Sequence, residues 1–154
     1  MRKRKTLAAL AIFVCLVIFA QTSVFAGAVY LNKIPLGVEI EIKAVSGQNF
    51  VPLRSIADMA GAELEWNNKT KTATIYNPFT VKKTVLAKIT SGETKVTIRP
   101  MDKSGKPLEE VTKELEAAPE IIDSKLYIPL DFIVESFGFT VNYEQKTGNI
   151  YLAN

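Results

Sequence analysis

The sequence predicts an α+β fold made of two pseudo-repeats, each an extended arm, a short helix and a β-hairpin, forming antiparallel sheet packed around short helices. Three observations carry this. Residues 51–75 align without a gap to residues 128–152, matching Pro52 to Pro129, Leu53 to Leu130, Ile56 to Ile133, Gly61 to Gly138, Lys69 to Lys146 and Thr70 to Thr147. Within each stretch the apolar period changes from 3.6 to 2 at a glycine. Outside them, most of the chain alternates apolar and polar residues as strands do.

In chain order, the first element is a secretion signal over residues 1–26. Arg2, Lys3, Arg4 and Lys5 form a basic head, residues 7–20 are continuously apolar, and Val24-Phe25-Ala26 offers small residues for cleavage after Ala26. A membrane-spanning helix needs roughly 20 apolar residues, and this run stops at Gln21-Thr22-Ser23. The mature module is residues 27–154. Its first strand signal is Val38, Ile40 and Ile42 alternating with Glu39, Glu41 and Lys43.

Each matched stretch then reads the same way. Leu53, Ile56, Ala57 and Ala60 fall at i, i+3, i+4 and i+7, as do Leu130, Ile133, Val134 and Phe137. These are the apolar stripes of two short helices. Pro52 and Pro129 sit where a missing N–H costs nothing, and Gly61 and Gly138 where a left-handed cap favours glycine. Beyond the glycines, Ala62, Leu64 and Trp66 alternate with Glu63 and Glu65; Phe139, Val141 and Tyr143 alternate with Thr140 and Asn142. Polar turns follow, and strands return through Ala73 and Ile75, and through Ile150 and Leu152. Between the stretches, residues 85–98 read as a hairpin turning at Ser91-Gly92, and residues 101–107 as a turn with Gly105 and Pro107. Residues 108–118 are ambiguous between a helix and an extended arm.

Composition narrows the function. Losing the four basic residues of the signal leaves 15 Lys and Arg against 16 Asp and Glu, a net charge of −1. Without a basic patch, a nucleic-acid role loses its main support. Cys15 is the single cysteine and lies within the apolar run, where its neighbours do not suit lipidation. A mature chain with no thiol has no disulfide, thiolate metal site or cysteine nucleophile, so one modest core must stabilise it.

The string VPLRSIADMAGAELEWNNKTKTATI at residues 51–75 resembles the copper amine oxidase N-terminal-like, or stalk, domain carried by secreted proteins of Gram-positive bacteria. Residues 128–152 follow the pattern less closely, with Asp131 where that family usually has arginine. The resemblance covers most of the mature chain. It implies antiparallel strands curled about short helices and a non-catalytic role, remote from any copper.

The copper chemistry itself fails on residue types. Asn142-Tyr143-Glu144 spells the motif from which amine oxidases make their quinone, but the chain contains no histidine, the ligand such copper sites require. Tyr143 matches Trp66 at an inward strand position, so both read as core. Serine and cysteine triads are excluded with histidine. Glu39/Glu41 and Glu63/Glu65 could serve a carboxylate-based hydrolase or calcium, although alternating glutamates usually mark the solvated face of a strand. Tyr30, Tyr76, Phe79, Tyr127 and Tyr151 are undecided between core and surface. No cofactor and no metal is expected.

Three residues are candidate partner contacts. Phe132 lies off the helical stripe, where the first stretch has Ser55; left exposed it is a partner contact, and the alternative, which the usual burial of phenylalanine favours, is that the chain between the stretches or the other unit covers it. Arg54 and Asp131 occupy one repeat position with opposite charge; Arg54 is also four residues from Asp58, the local pair we favour. The expected function is a secreted, non-catalytic binding or structural module of the cell envelope, held non-covalently at the wall. Its expected partner is a cell-wall polymer or another secreted or envelope protein, with no nucleic acid and no membrane after cleavage. A regulator or inhibitor docking on an extracellular enzyme is the alternative. Oligomeric state leaves no sequence signal here.

Overall fold

The computed structural model describes residues 24–77, 80, 82–100, 102, 104, 106–132 and 140–153. Strands β1 (Val24–Leu31), β2 (Ile34–Val45) and β3 (Gln48–Pro52) form an antiparallel meander. Its two-residue turns put Asn32 and Lys33 at φ 49° and 69°, and Ser46 and Gly47 at φ 51° and 83°. Left-handed residues at both central positions give the twist that joins adjacent right-handed strands. The alternation along β2 buries Ile40 and Ile42, while Ile34, Leu36 and Val38, on the same face, remain exposed. Strand β1 runs across the expected cleavage point, with Ala26 opposite Glu41 and Gly27 opposite Ile40.

Pro52 then caps helix α1 (Leu53–Met59) with φ −65°, the value its ring imposes. Leu53, Ile56 and Ala57 are buried as the stripe predicts. The helix stops where expected: Gly61 adopts φ 64°, and the Ala62 amide donates to the Ala57 carbonyl at 2.8 Å. The chain next builds an antiparallel five-stranded sheet, β4 (Glu63–Asn67), β5 (Thr72–Tyr76), β6 (Val85–Thr90), β7 (Lys95–Ile98) and β8 (Val111–Glu114), in that order. Strand β8 settles the ambiguity of residues 108–118 in favour of the extended form. Val111 and Thr112 suit a strand, and pairing them with Ile98 and Thr97 satisfies the free edge of β7.

Strands β9 (Glu120–Ile122), β10 (Lys125–Pro129), β11 (Thr140–Glu144) and β12 (Asn149–Ala153) complete the other sheet. Its order is β11-β12-β1-β2-β3-β10-β9. The two matched sequence stretches meet at the β3–β10 ladder, where Val51 pairs with Ile128, Phe50 with Pro129 and Pro52 with Tyr127. The expectation of purely antiparallel sheet needs one correction: β1 and β12 are parallel, with Val29 opposite Ile150 and Leu31 opposite Leu152. This pairing covers two strand edges at once and buries Val29, Ile150 and Leu152. It needs close approach, because a Cβ on Gly27 would lie 1.6 Å from the Gly148 carbonyl oxygen.

One hydrophobic cluster joins the sheets. Ile42, Val51 and Ile128 enter from the seven-stranded sheet and Ile75, Ile89 and Ile98 from the five-stranded one, with Leu53 and Ile56 of α1 among them. Phe132 is also there, 2% exposed, so it is a core residue and not a partner contact. A position off the four-residue stripe is still covered when a second layer lies against it. Asp131 and Phe132 are helical; the rest of the helix expected over 130–137, its cap Gly138, Phe139, Phe79, Met101, Gly105 and residues 1–23 lie outside the described residues.

Ile128 is fully buried at the ladder between the matched stretches. Ile128→Ala should lower unfolding stability by about 2–5 kcal/mol. Ile121→Ala, at a side chain 44% exposed, should change it by less than about 0.5 kcal/mol. Urea denaturation of both variants checks the contrast.

Candidate functional site

A groove of about 580 Å³ opens where the first turn of α1, the β4–β5 hairpin and the β9–β10 hairpin converge. Its apolar part comes from Pro52, Leu53, Leu64, Ala73 and Leu126. Trp66 stands at its side. Across the ladder it pairs with Ala73, a core residue, so its side chain does lie on the inward face. It is nevertheless 39% exposed. The reason is positional: β4 is an edge strand, and the two-turn helix is too short to cover its far end. Inward parity therefore does not mean burial here, and the reading of Trp66 as a core residue is overturned. The signal in the sequence was its place at the end of the strand, immediately before a polar turn.

Charge surrounds the indole. Arg54, Lys71 and Lys125 line the groove together with one carboxylate, Asp58. Arg54 is exposed and makes no ion pair among the described residues; the pair with Asp58 favoured from sequence is not formed. Lys125 reaches Glu41 at 3.6 Å. The turn that presents Trp66 and Lys71 is braced from within: the Asn67 side-chain oxygen accepts from the amides of Lys69 and Thr70 at 2.9 and 3.3 Å. The Lys71 ammonium donates to the Asn68 side chain at 2.7 Å. Lys71 itself has φ 54°, a conformation that costs an L-residue roughly 1–2 kcal/mol.

Asp131 lies elsewhere. It lines a smaller groove of about 290 Å³ with Glu116 and Tyr143, so Arg54 and Asp131 do not meet. Tyr143 is half-buried against the core, as its period predicted.

Three of the four paired glutamates, Glu41, Glu63 and Glu65, are held by cations. Lys83 donates to Glu63 at 2.7 Å and to Glu65 at 2.8 Å, and the Tyr76 hydroxyl donates to Glu65 at 2.8 Å. Bonds from Lys83 and Tyr76 hold the Glu65 carboxyl below its usual range. A general acid needs the opposite shift. Glu41 lies 3.5 Å from the Lys43 ammonium. Lys43 also binds Asp123 and sits 5.0 Å over the Tyr127 ring. Among the described residues no group of three or more His, Cys, Asp or Glu side chains is placed to hold a metal. None of their helices is long and apolar enough to cross a membrane.

The described residues thus form a β-rich scaffold with one short helix and an open, mixed-charge groove. Residues 30–152 match the copper amine oxidase N-terminal domain, and the chain belongs to that family, in which this domain is non-catalytic. No curated protein and no solved structure matches the chain.

The Lys43–Asp123 pair sets a pH window for stability. The Lys43 ammonium holds the Asp123 carboxyl below its ordinary value, and the bond to Asp123 raises Lys43. A depressed carboxyl stabilises the fold above its unfolded pKa of about 3.9, and that gain disappears as pH falls through the folded value. A raised lysine stabilises below its unfolded pKa of about 10.4, and that gain disappears as pH rises through the folded value. Asp123→Asn should lower Tm by a steady amount between these limits and by a shrinking amount in acid. Melting curves across the acid limb check this; an undiminished deficit at the lowest pH would remove the pair as its source.

Proposed function

We propose that the protein is an exported, non-catalytic binding module of the bacterial cell envelope, built from two copies of one arm–helix–hairpin unit. The observation that carries this reading is the groove: a large indole left open to solvent beside three cationic side chains, of which Arg54 makes no ion pair among the described residues, on a scaffold whose family role is not catalysis. Placed polar and charged groups around an apolar patch are what orient a ligand in a concave site. The basic head and apolar run of residues 2–20 support export. The pairing of matched residues Val51 and Ile128 supports a two-copy origin, since it lies where an approximate twofold between the copies would pass.

Co-sedimentation of the purified protein with isolated Gram-positive cell walls tests the function. Saturable binding, weakened by added salt, is the expected result. Absence of sedimentation at any protein concentration would overturn the envelope role and direct the search to soluble extracellular partners.

A further inference from the structure

The two matched stretches build two grooves in part from corresponding positions, and the grooves differ in the charge of their linings. Continuing the gapless alignment, Pro52 and Leu53 of the larger groove correspond to Pro129 and Leu130 of the smaller, and Leu64 corresponds to Val141. Those apolar positions are what the shared scaffold requires. Leu126 of the larger groove stands for Asn49, and the remaining corresponding positions differ mainly in charge. Arg54 stands for Asp131, Lys125 for Gln48 and Trp66 for Tyr143. Glu116 adds a further acid to the smaller groove. One site is thus cationic and carries the chain's single tryptophan; its counterpart is acidic.

Lys71 makes the same point through the backbone. Its counterpart is Gly148, and both adopt left-handed φ, 54° and 74°. Glycine occupies that region without strain and lysine does not. The groove at Trp66 thus carries a cationic side chain where the corresponding turn position has none.

We propose that this groove binds an acidic glycan, a sugar polymer bearing carboxylate or phosphodiester groups. The proposal rests on the envelope-binding reading above and specifies its site and ligand. The Trp66 indole offers a flat apolar face to the C–H face of a pyranose. Ser55, Asn68 and Ser124 border the same space with groups that exchange hydrogen bonds with sugar hydroxyls. Arg54, without an ion pair, presents a planar fork matched to carboxylate or phosphate. Lys71 and Lys125 extend the positive field, and Asp58 opposes it from the helix side. The volume lies in the range of about 300–1,000 Å³ that encloses a small ligand, enough for a short run of sugars.

Because Trp66 is the only tryptophan, its fluorescence reports this groove directly. Polygalacturonate, as the carboxylate probe, and poly(glucosylglycerol phosphate), as the phosphate probe, are titrated against the protein, with dextran as the neutral control and polyglutamate as the acidic-peptide control. At least one acidic glycan should change Trp66 emission saturably, dextran should not, and added salt should weaken the response. Arg54→Ala should weaken binding roughly tenfold, the loss expected of a charged hydrogen-bond donor. Lys71→Gly should weaken it as well while leaving the melting temperature equal or higher, which separates ligand contact from folding. Tyr143→Phe, in the other groove, should leave it unchanged. A response to neither acidic glycan, an equal response to dextran, or an equal response to polyglutamate would each overturn the assignment. Wall binding that survives both Arg54→Ala and Lys71→Gly would overturn this site while leaving the envelope role standing.

Discussion

The ladder between β3 and β10 is the contact on which the rest of the architecture depends. Pairing Val51 with Ile128 sends both apolar side chains into the common core. The same register turns Phe50 and Tyr127 to the opposite face of the sheet, where both are almost fully shielded. A slip of one residue would exchange those faces and place the proline-flanked helix start out of reach of its packing partners. Because α1 leaves directly from the end of β3, the ladder also fixes where Leu53 and Arg54 stand relative to the β9–β10 hairpin, and therefore the width of the groove.

The groove is a by-product of that arrangement before it is a site. A helix of two turns can cover the beginning of the strand that follows it, not its end. Trp66 projects past the helix over the gap between the sheets, and the β9–β10 hairpin supplies the opposite wall with Lys125 and Ile121. An edge strand with exposed apolar side chains is ordinarily a liability. Here the cations beside it and the braced asparagine turn oppose strand-to-strand association, which is one way such edges are kept safe in monomers.

Much of the scaffold was legible because its signals are local. The stripe Leu53, Ile56, Ala57, the caps Pro52 and Gly61, and the alternation of Ile40 with Glu41 each depend on neighbours in sequence. What was not legible depends on distant coverage. Near Trp66 only its place at the strand's end, before a polar turn, hints that its inward face has no lid, and nothing near Phe132 decides whether its off-stripe position has one. The parallel pairing of β1 with β12 likewise leaves no local trace beyond two glycines. Arg54 was singled out as a candidate contact and does line the groove, but its setting was not legible: the local ion pair with Asp58 was the cheaper guess and the structure does not form it. The correspondence of Ser46-Gly47 with Asp123-Ser124, both left-handed turns, lay just upstream of the matched stretches and extends their likeness.

The neighbouring position of β1 and β12 has a kinetic consequence. The Ala28 amide bonds to the Asn149 side chain, 121 residues away. Closing a loop of that length costs about 3 kcal/mol more entropy than closing a four-residue turn, so this pairing belongs to the slow end of the folding reaction. Until β12 has been made, the outer edge of β1 has no partner, and no shorter portion of the chain can close the seven-stranded sheet. A polypeptide with this wiring keeps that edge open during its synthesis and covers it only once the residues of β12 have been made.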